Sequence, residues 1–204
     1  MGSEAHCTCR FDGRVSQGTA HLDSTSLVFR GDFRLSIPVK EVMQVEARGG
    51  RLTLMYSAGT VALDLGKAAE TWASKIKNPK SLLEKLGVKP GACVCVIGVQ
   101  DRKFLTQLQT KVAQVVHKPR RDADLIFYAA DSIDVLNSLT RLKASLNPDG
   151  AIWVVSLKGK QARIKDTDVM AAARRAGLVD NKVVGFSDTH TALKLVIPKA
   201  KRSR

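Results

Sequence analysis

A chain of 204 residues, 44% hydrophobic and 25% charged, has the make-up of an ordinary globular protein, which excludes wholesale disorder and leaves room for two compact domains. No stretch reaches the roughly 18–20 uncharged apolar residues that span a bilayer, and MGSEAHCTCR lacks the apolar centre of a signal peptide, so a cytoplasmic protein is expected. The formal charge of +14 is uneven: residues 1–79 hold 10 Lys/Arg against 8 Asp/Glu, whereas residues 80–204 hold 23 against 11. Any attraction for polyanions therefore belongs to the second half, without sequence specificity.

Residues 1–10 are expected to be a flexible N-terminus. From Phe11 to Leu65, the short apolar runs GTAHLD, SLVFRG, FRLSIPV, VMQVEA, RLTLMYS and TVALDL are broken by Gly, Asp and Ser, which predicts an antiparallel meander. Gly31-Asp32 and Gly49-Gly50 fall where tight turns belong, glycine supplying positive φ. Leu52, Leu54 and Tyr56, then Val61, Leu63 and Leu65, alternate as strands with one buried face. After Gly66 the period changes: Ala69, Trp72, Ala73 and Ile76 recur at helical spacing, and Asn78-Pro79 stops the helix. Six or seven antiparallel strands closed by one helix with an inward tryptophan resemble the pleckstrin-homology (PH) or GRAM fold over residues 11–79. That resemblance implies a protein- or lipid-binding module. Near-neutral charge sets phosphoinositide binding aside and favours a structural role or a protein partner for this α+β N-terminal domain.

The second half alternates differently. SLLEKLGVKPGA reads as a short helix and turn, CVCVIGV as a buried strand, and DRKFLTQLQTKVAQVV as a helix with a short strand at Val115 and Val116. ADLIFYAA is a buried strand, SIDVLNSLTRLKASL a helix, and NPDG a turn into AIWVVSL. DTDVMAAARRAG is a helix with Asp166 or Thr167 as N-cap and Gly177 as its stop, and VDNKVVGF and TALKLVIP pair as a terminal hairpin. Continuous apolar strands alternating with helices predict an α/β, Rossmann-like, largely parallel sheet covered on both faces.

The runs KLGVKPGACVCVIG, DADLIFYAADSIDVLNSLTRLKASLNPDGAIWVVSLKGK and AAARRAGLVDNKVVGFSDTHTALKLVIPK together resemble the bacterial domain of unknown function 3052 family over about residues 80–199. The element order, ending in an antiparallel hairpin, is similar to a shortened class I methyltransferase. The domain division is thus 1–10, 11–79, 80–198 and a basic tail over 199–204. The methyltransferase likeness implies a glycine-rich loop after the first strand and an acidic residue on the cofactor ribose after the next one. Here Gly98 is the single glycine in Ile97-Gly98-Val99-Gln100-Asp101-Arg102, and VVHKPRRD is basic where the acid would stand. No cofactor is expected.

Candidate site residues follow from the carboxyl edge of that sheet: Gly98, Asp101, Asp131 and Lys158, with His190 from the turn Ser187-Asp188-Thr189-His190-Thr191. Each has a plainer role. Asp131 or Ser132 suits helix capping, and a hydroxyl, carboxylate and imidazole on adjacent residues make a polar turn sooner than a relay. His6, Cys7, Cys9, Cys93 and Cys95 lack zinc-ligand spacing, and buried thiols act as small hydrophobes, so no metal is expected. Lys118, Arg120, Arg121, Lys160, Lys201 and Arg202 form a basic surface without the aromatic ladder that single-stranded nucleic acid uses. The reading is a binding or regulatory protein without catalysis. Two alternatives stay open: an enzyme using a residual cleft, such as a methyltransferase dependent on S-adenosylmethionine (SAM), and a protein contacting nucleic acid weakly through its basic half.

Overall fold

The computed structural model describes residues 2–202. The chain divides between Lys80 and Ser81 into two compact units.

In the first unit the strands are β1 (Ser3–Phe11), β2 (Arg14–Leu22), β3 (Ser26–Arg30), β4 (Arg34–Pro38), β5 (Val42–Arg48), β6 (Arg51–Tyr56) and β7 (Gly59–Asp64), followed by helix α1 (Ala68–Lys77). They form one curled antiparallel sheet in the order β4-β3-β2-β1-β7-β6-β5. Residues 3–10, expected to be flexible, lie in its central strand: β1 pairs with β2 over its whole length and with β7 over Thr8–Phe11. The alternating positions Ala5, Cys7, Cys9 and Phe11 face the core, and small polar spacers had masked that period. The inward faces of the strands meet Ala69, Trp72, Ala73 and Ile76 of α1 in a single cluster, as the helical spacing predicts. Gly49 and Gly50 both have positive φ in the β5–β6 hairpin. Gly31 does not need positive φ; a Cβ there would stand 2.5 Å from Ser16 Oγ and 2.6 Å from Gln17 O, so close approach requires the glycine.

The second unit contains α2 (Leu82–Leu86), β8 (Val94–Ile97), α3 (Arg102–Lys111), β9 (Val115–Val116), β10 (Ala123–Ala129), α4 (Ile133–Leu136), α5 (Leu139–Ala144), β11 (Leu146–Leu157), α6 (Asp166–Arg175), β12 (Val179–Gly185) and β13 (His190–Val196). Its mixed sheet runs β12-β13-β11-β10-β8-β9. The pairs β9/β8, β8/β10 and β10/β11 are parallel, and the terminal hairpin joins antiparallel. Both faces are covered: Cys95, Ile126, Ile152 and Leu195 share one core with residues of α4, α5 and α6, and Val96, Phe127 and Trp153 share the other with residues of α2 and α3.

Three local readings change. The helix expected over 132–146 is two: Asn137 and Ser138 donate to carbonyls three residues back (3.1 and 3.2 Å), which tightens the turn, and both residue types are weak helix formers. The expected turn at 147–150 is instead a bulged part of β11, because Ala123 pairs with Leu146 but Leu125 with Ala151. The N-cap of α6 is Lys165, whose backbone N–H donates to the Asp168 carboxylate at 2.8 Å. No helix among the described residues is long and apolar enough to cross a membrane.

Candidate functional site

From β8 the chain passes to β9 on one side and then crosses to β10 on the other. The carboxyl ends of β8 and β10 therefore flank the point where the winding reverses, the place where open α/β sheets form ligand crevices. A cleft of about 370 Å³ lies there, small against the roughly 300–1,000 Å³ of ligand pockets. Its apolar walls come from Val99, Ala129, Val155 and Phe186, and its polar rim from Gln100, Asp101, Thr189 and His190. Gly98 forms its floor in the left-handed region (φ +74°), where a Cβ would sit 3.3 Å from Ala129 Cβ. Val99 is buried in the core with Phe104 and Phe186, so it walls the cleft without filling it.

The structure brings Gly98, Asp101 and His190 together and leaves Asp131 and Lys158 outside that lining. The Asp101 carboxylate accepts the Phe104 backbone N–H at 2.9 Å as N-cap of α3. Asp131 forms an ion pair with Arg163 at 3.4 Å, with both side chains mostly in solvent, an arrangement worth little. The cap of α4 is Ser132. Lys158 braces the 187–190 turn instead of lining the cleft: its Nζ donates to Ser187 O (2.8 Å) and its backbone N–H to Thr189 O (2.9 Å). Within that turn His190 Nδ1 is 2.8 Å from Thr189 Oγ1, and Ser187 Oγ accepts the His190 backbone N–H at 3.2 Å. These bonds are local, those of a polar hairpin turn. Of the lining, Val99, Gln100, Ala129, Val155 and Phe186 were not among the expected site residues, and Thr189 was expected only as part of the polar turn; nearness to strand ends was the one available signal.

Three further groups bear on cofactor and partner chemistry. Beyond β9 the chain runs into His117, Lys118, Pro119, Arg120 and Arg121, all exposed, so no carboxylate stands at the end of this strand, and the first to follow it is Asp122. Cys7 and Cys9 belong to the first unit and Cys93 and Cys95 to the second. Burial, followed by Cys7, pushes the Cys9 thiol up to about 12, and burial likewise raises Cys95, which disfavours the thiolate that binds metals. Among the described residues no three His, Cys, Asp or Glu side chains gather as metal ligands. Of the basic surface, Lys118, Arg121, Lys160 and Lys201 are exposed, and Arg120 donates to Gln114 at 3.2 Å. Arg202 departs from the expected solvated tail: it donates to Ile197 O at 3.0 Å and pairs with Asp149 at 2.8 Å. Residues 199–201 form a 3-10 turn, and Ser203 and Arg204 of that tail lie outside the described residues.

Solved structures similar in outline include a putative type 11 methyltransferase from Sulfolobus solfataricus (15% identity, TM-score 0.44, 58% of this chain and 90% of that one). CalO1, a methyltransferase in calicheamicin biosynthesis, matches at 15% identity and TM-score 0.45, over 57% of this chain and 52% of its own. A TehB-like SAM-dependent methyltransferase from Corynebacterium glutamicum matches at 13% and 0.39, over 64% and 96%. Among curated proteins nothing matches the sequence. The family model described as protein of unknown function (DUF3052) matches residues 84–199, more than half of the chain, and the protein belongs to that family.

Proposed function

We propose that the protein is a non-catalytic binding or regulatory protein of the cytoplasm, in which a PH-like module precedes a shortened methyltransferase-like domain that has lost its cofactor. One observation carries this reading: the single carboxylate lining the cleft, Asp101, is held by the N-terminus of α3, and the five residues that directly follow β9, where an acid would accept a ribose, include no carboxylate. A hydrogen bond to a charged group is worth about 1.5 to 3 kcal/mol, so loss of the ribose acceptor weakens a cofactor roughly ten- to a hundredfold. His190 Nδ1 is 2.8 Å from Thr189 Oγ1, a contact within the turn that fixes the ring. The cleft suits a small ligand with one apolar face and a hydrogen-bonding edge that meets Gln100, Thr189 and His190. The PH-like reading of the first unit is supported by its order of seven antiparallel strands and a closing helix with Trp72 inward.

Calorimetry of the full chain with S-adenosylmethionine and its demethylated product tests this, beside Gly98→Trp, which blocks the cleft at its floor. No measurable heat is expected. Micromolar binding abolished by Gly98→Trp would replace this reading with that of an enzyme.

A further inference from the structure

Across β11, β13 and β12 three side chains stand in one row on the same face of the sheet: Trp153 pairs with Lys194, and Lys194 with Lys182. Directly opposed residues of an antiparallel pair have Cβ atoms about 4.5–5.5 Å apart, where like charges repel. Two ammonium side chains thus oppose each other across the ladder, and Arg202 acts on Lys194 as a third cation. Trp153 and Lys182 have evident structural partners: the indole Nε1 donates to Leu86 O at 3.0 Å and Lys182 Nζ to Lys85 O at 3.1 Å, both at the C-terminal end of α2.

Lys194 is different. Among the described residues its Nζ makes no hydrogen bond or ion pair, and the contact that compensates its charge is the Trp153 ring, 5.8 Å from Nζ to centroid. Burial first, then Lys182, then Arg202 hold this lysine below its usual pKa. Asp149, which faces Arg202, is bonded to it. A half-buried cation among other cations is unfavourable unless an anion completes the group.

We propose that Lys194, Lys182 and Arg202, beside Trp153, form a binding site for the phosphate group of a small phosphorylated molecule. Lysine ammonium groups bind phosphate as point charges, and an arginine fork adds planar donors. Trp153 is 1% exposed, so it offers no face for a base to stack on, and the site reads the phosphate and not a ring. A local group of three partly buried cations fits one phosphate better than an extended nucleic-acid backbone, which needs a long charged track. None of the three lines the cleft, so the site stands apart from the reading given for it.

The test is calorimetric titration of the full chain with inorganic phosphate and with glycerol 3-phosphate, at ionic strength held constant with chloride. In parallel, acylation of Lys194 is followed by peptide mass spectrometry. Saturable binding is expected in the wild type and in Lys194→Arg, weakened about tenfold or more in Lys194→Met and in Lys182→Met. The two methionine variants guard against a failure of either to fold. Acylation of Lys194 should slow in either phosphate and not in chloride. Absence of saturable heat, unchanged affinity in the methionine variants, or protection of Lys194 by duplex DNA but not by glycerol 3-phosphate would each overturn the proposal.

Discussion

Both units are built on a sheet and bury one tryptophan each, yet only the second has a crevice at a sheet reversal. In the first unit every neighbouring pair of strands is antiparallel, so strand starts and ends alternate along both edges and the short turns have nothing to converge on. In the second, β8, β10 and β11 run the same way, so their carboxyl ends share one edge and the following segments meet there. Direction of pairing, more than the residues available, decides where a site forms. The first unit is not short of chemistry: Arg10 and Arg51 both bond Asp64, and Arg51 and Asp64 line a polar hollow of about 440 Å³. A hollow of about 650 Å³ also exceeds the cleft and shares Asp101 and Phe186 with it, but the rest of its lining comes from Ser81, α2, α3, Ser187 and Asp188.

If the units are separate folding bodies, the largest effect comes from cutting the chain. Limited proteolysis should cleave between residues 78 and 81, outside the regular elements, and leave two resistant pieces. An uncut core at protease levels that trim the termini would merge the units.

The tryptophans come next. Trp72→Ala should cost the first unit about 3–5 kcal/mol and Trp153→Ala the second a similar amount, each lowering one thermal transition and leaving the other in place. Movement of both transitions by either variant would break the comparison. Trp153→Phe keeps an aromatic ring but removes the pyrrole half with its donor to Leu86 O, and should cost at least about 1–3 kcal/mol in urea unfolding.

Two glycines probe backbone crowding in each sheet. A Cβ on Gly18 would lie 2.2 Å from Arg30 O, and one on Gly150 would lie 2.8 Å from Asp124 O at the β11 bulge. Gly18→Ala and Gly150→Ala should each destabilise their own unit by about 1–3 kcal/mol, measured by denaturant midpoint.

The smallest effect is electrostatic. Hydrogen bonds from Arg51, then Arg10, hold the Asp64 carboxyl below its ordinary value. A depressed carboxylate pKa adds stability above the unfolded-state value and loses it as pH falls through the folded one, so the loss belongs below about pH 4. Asp64→Asn should flatten the acid limb of the first unit's melting curve and leave that of the second unchanged. An identical acid limb in the variant would show the pair to be energetically idle.

Much of the fold was legible because local periods and tertiary burial agree. The apolar runs of the second half are buried on both faces of a sheet, and Ala69, Trp72, Ala73 and Ile76 mark one helix face whatever they pack on. Pattern failed where small polar residues interleave with small hydrophobes: Cys7 and Cys9 hid the central strand of the first unit, and Asn137-Ser138 hid a break in a helix.

The candidate site was legible in part. Gly98 and Asp101 follow a strand directly, and a residue just beyond a parallel strand lies at the carboxyl edge in any such sheet. His190 begins an antiparallel strand, and its place at the same cleft depends on β13 pairing with β11 in a register that sets it against Leu157. Asp131 and Lys158 also follow strands, yet the first turns to Arg163 and the second to Ser187, since a side chain takes the partner that packing brings within reach. The row of Trp153, Lys194 and Lys182 lies at sequence separations no periodicity connects. Composition and period set the elements and their buried faces, being properties of neighbouring residues; register and strand order set which distant side chains meet, being properties of the assembled sheet.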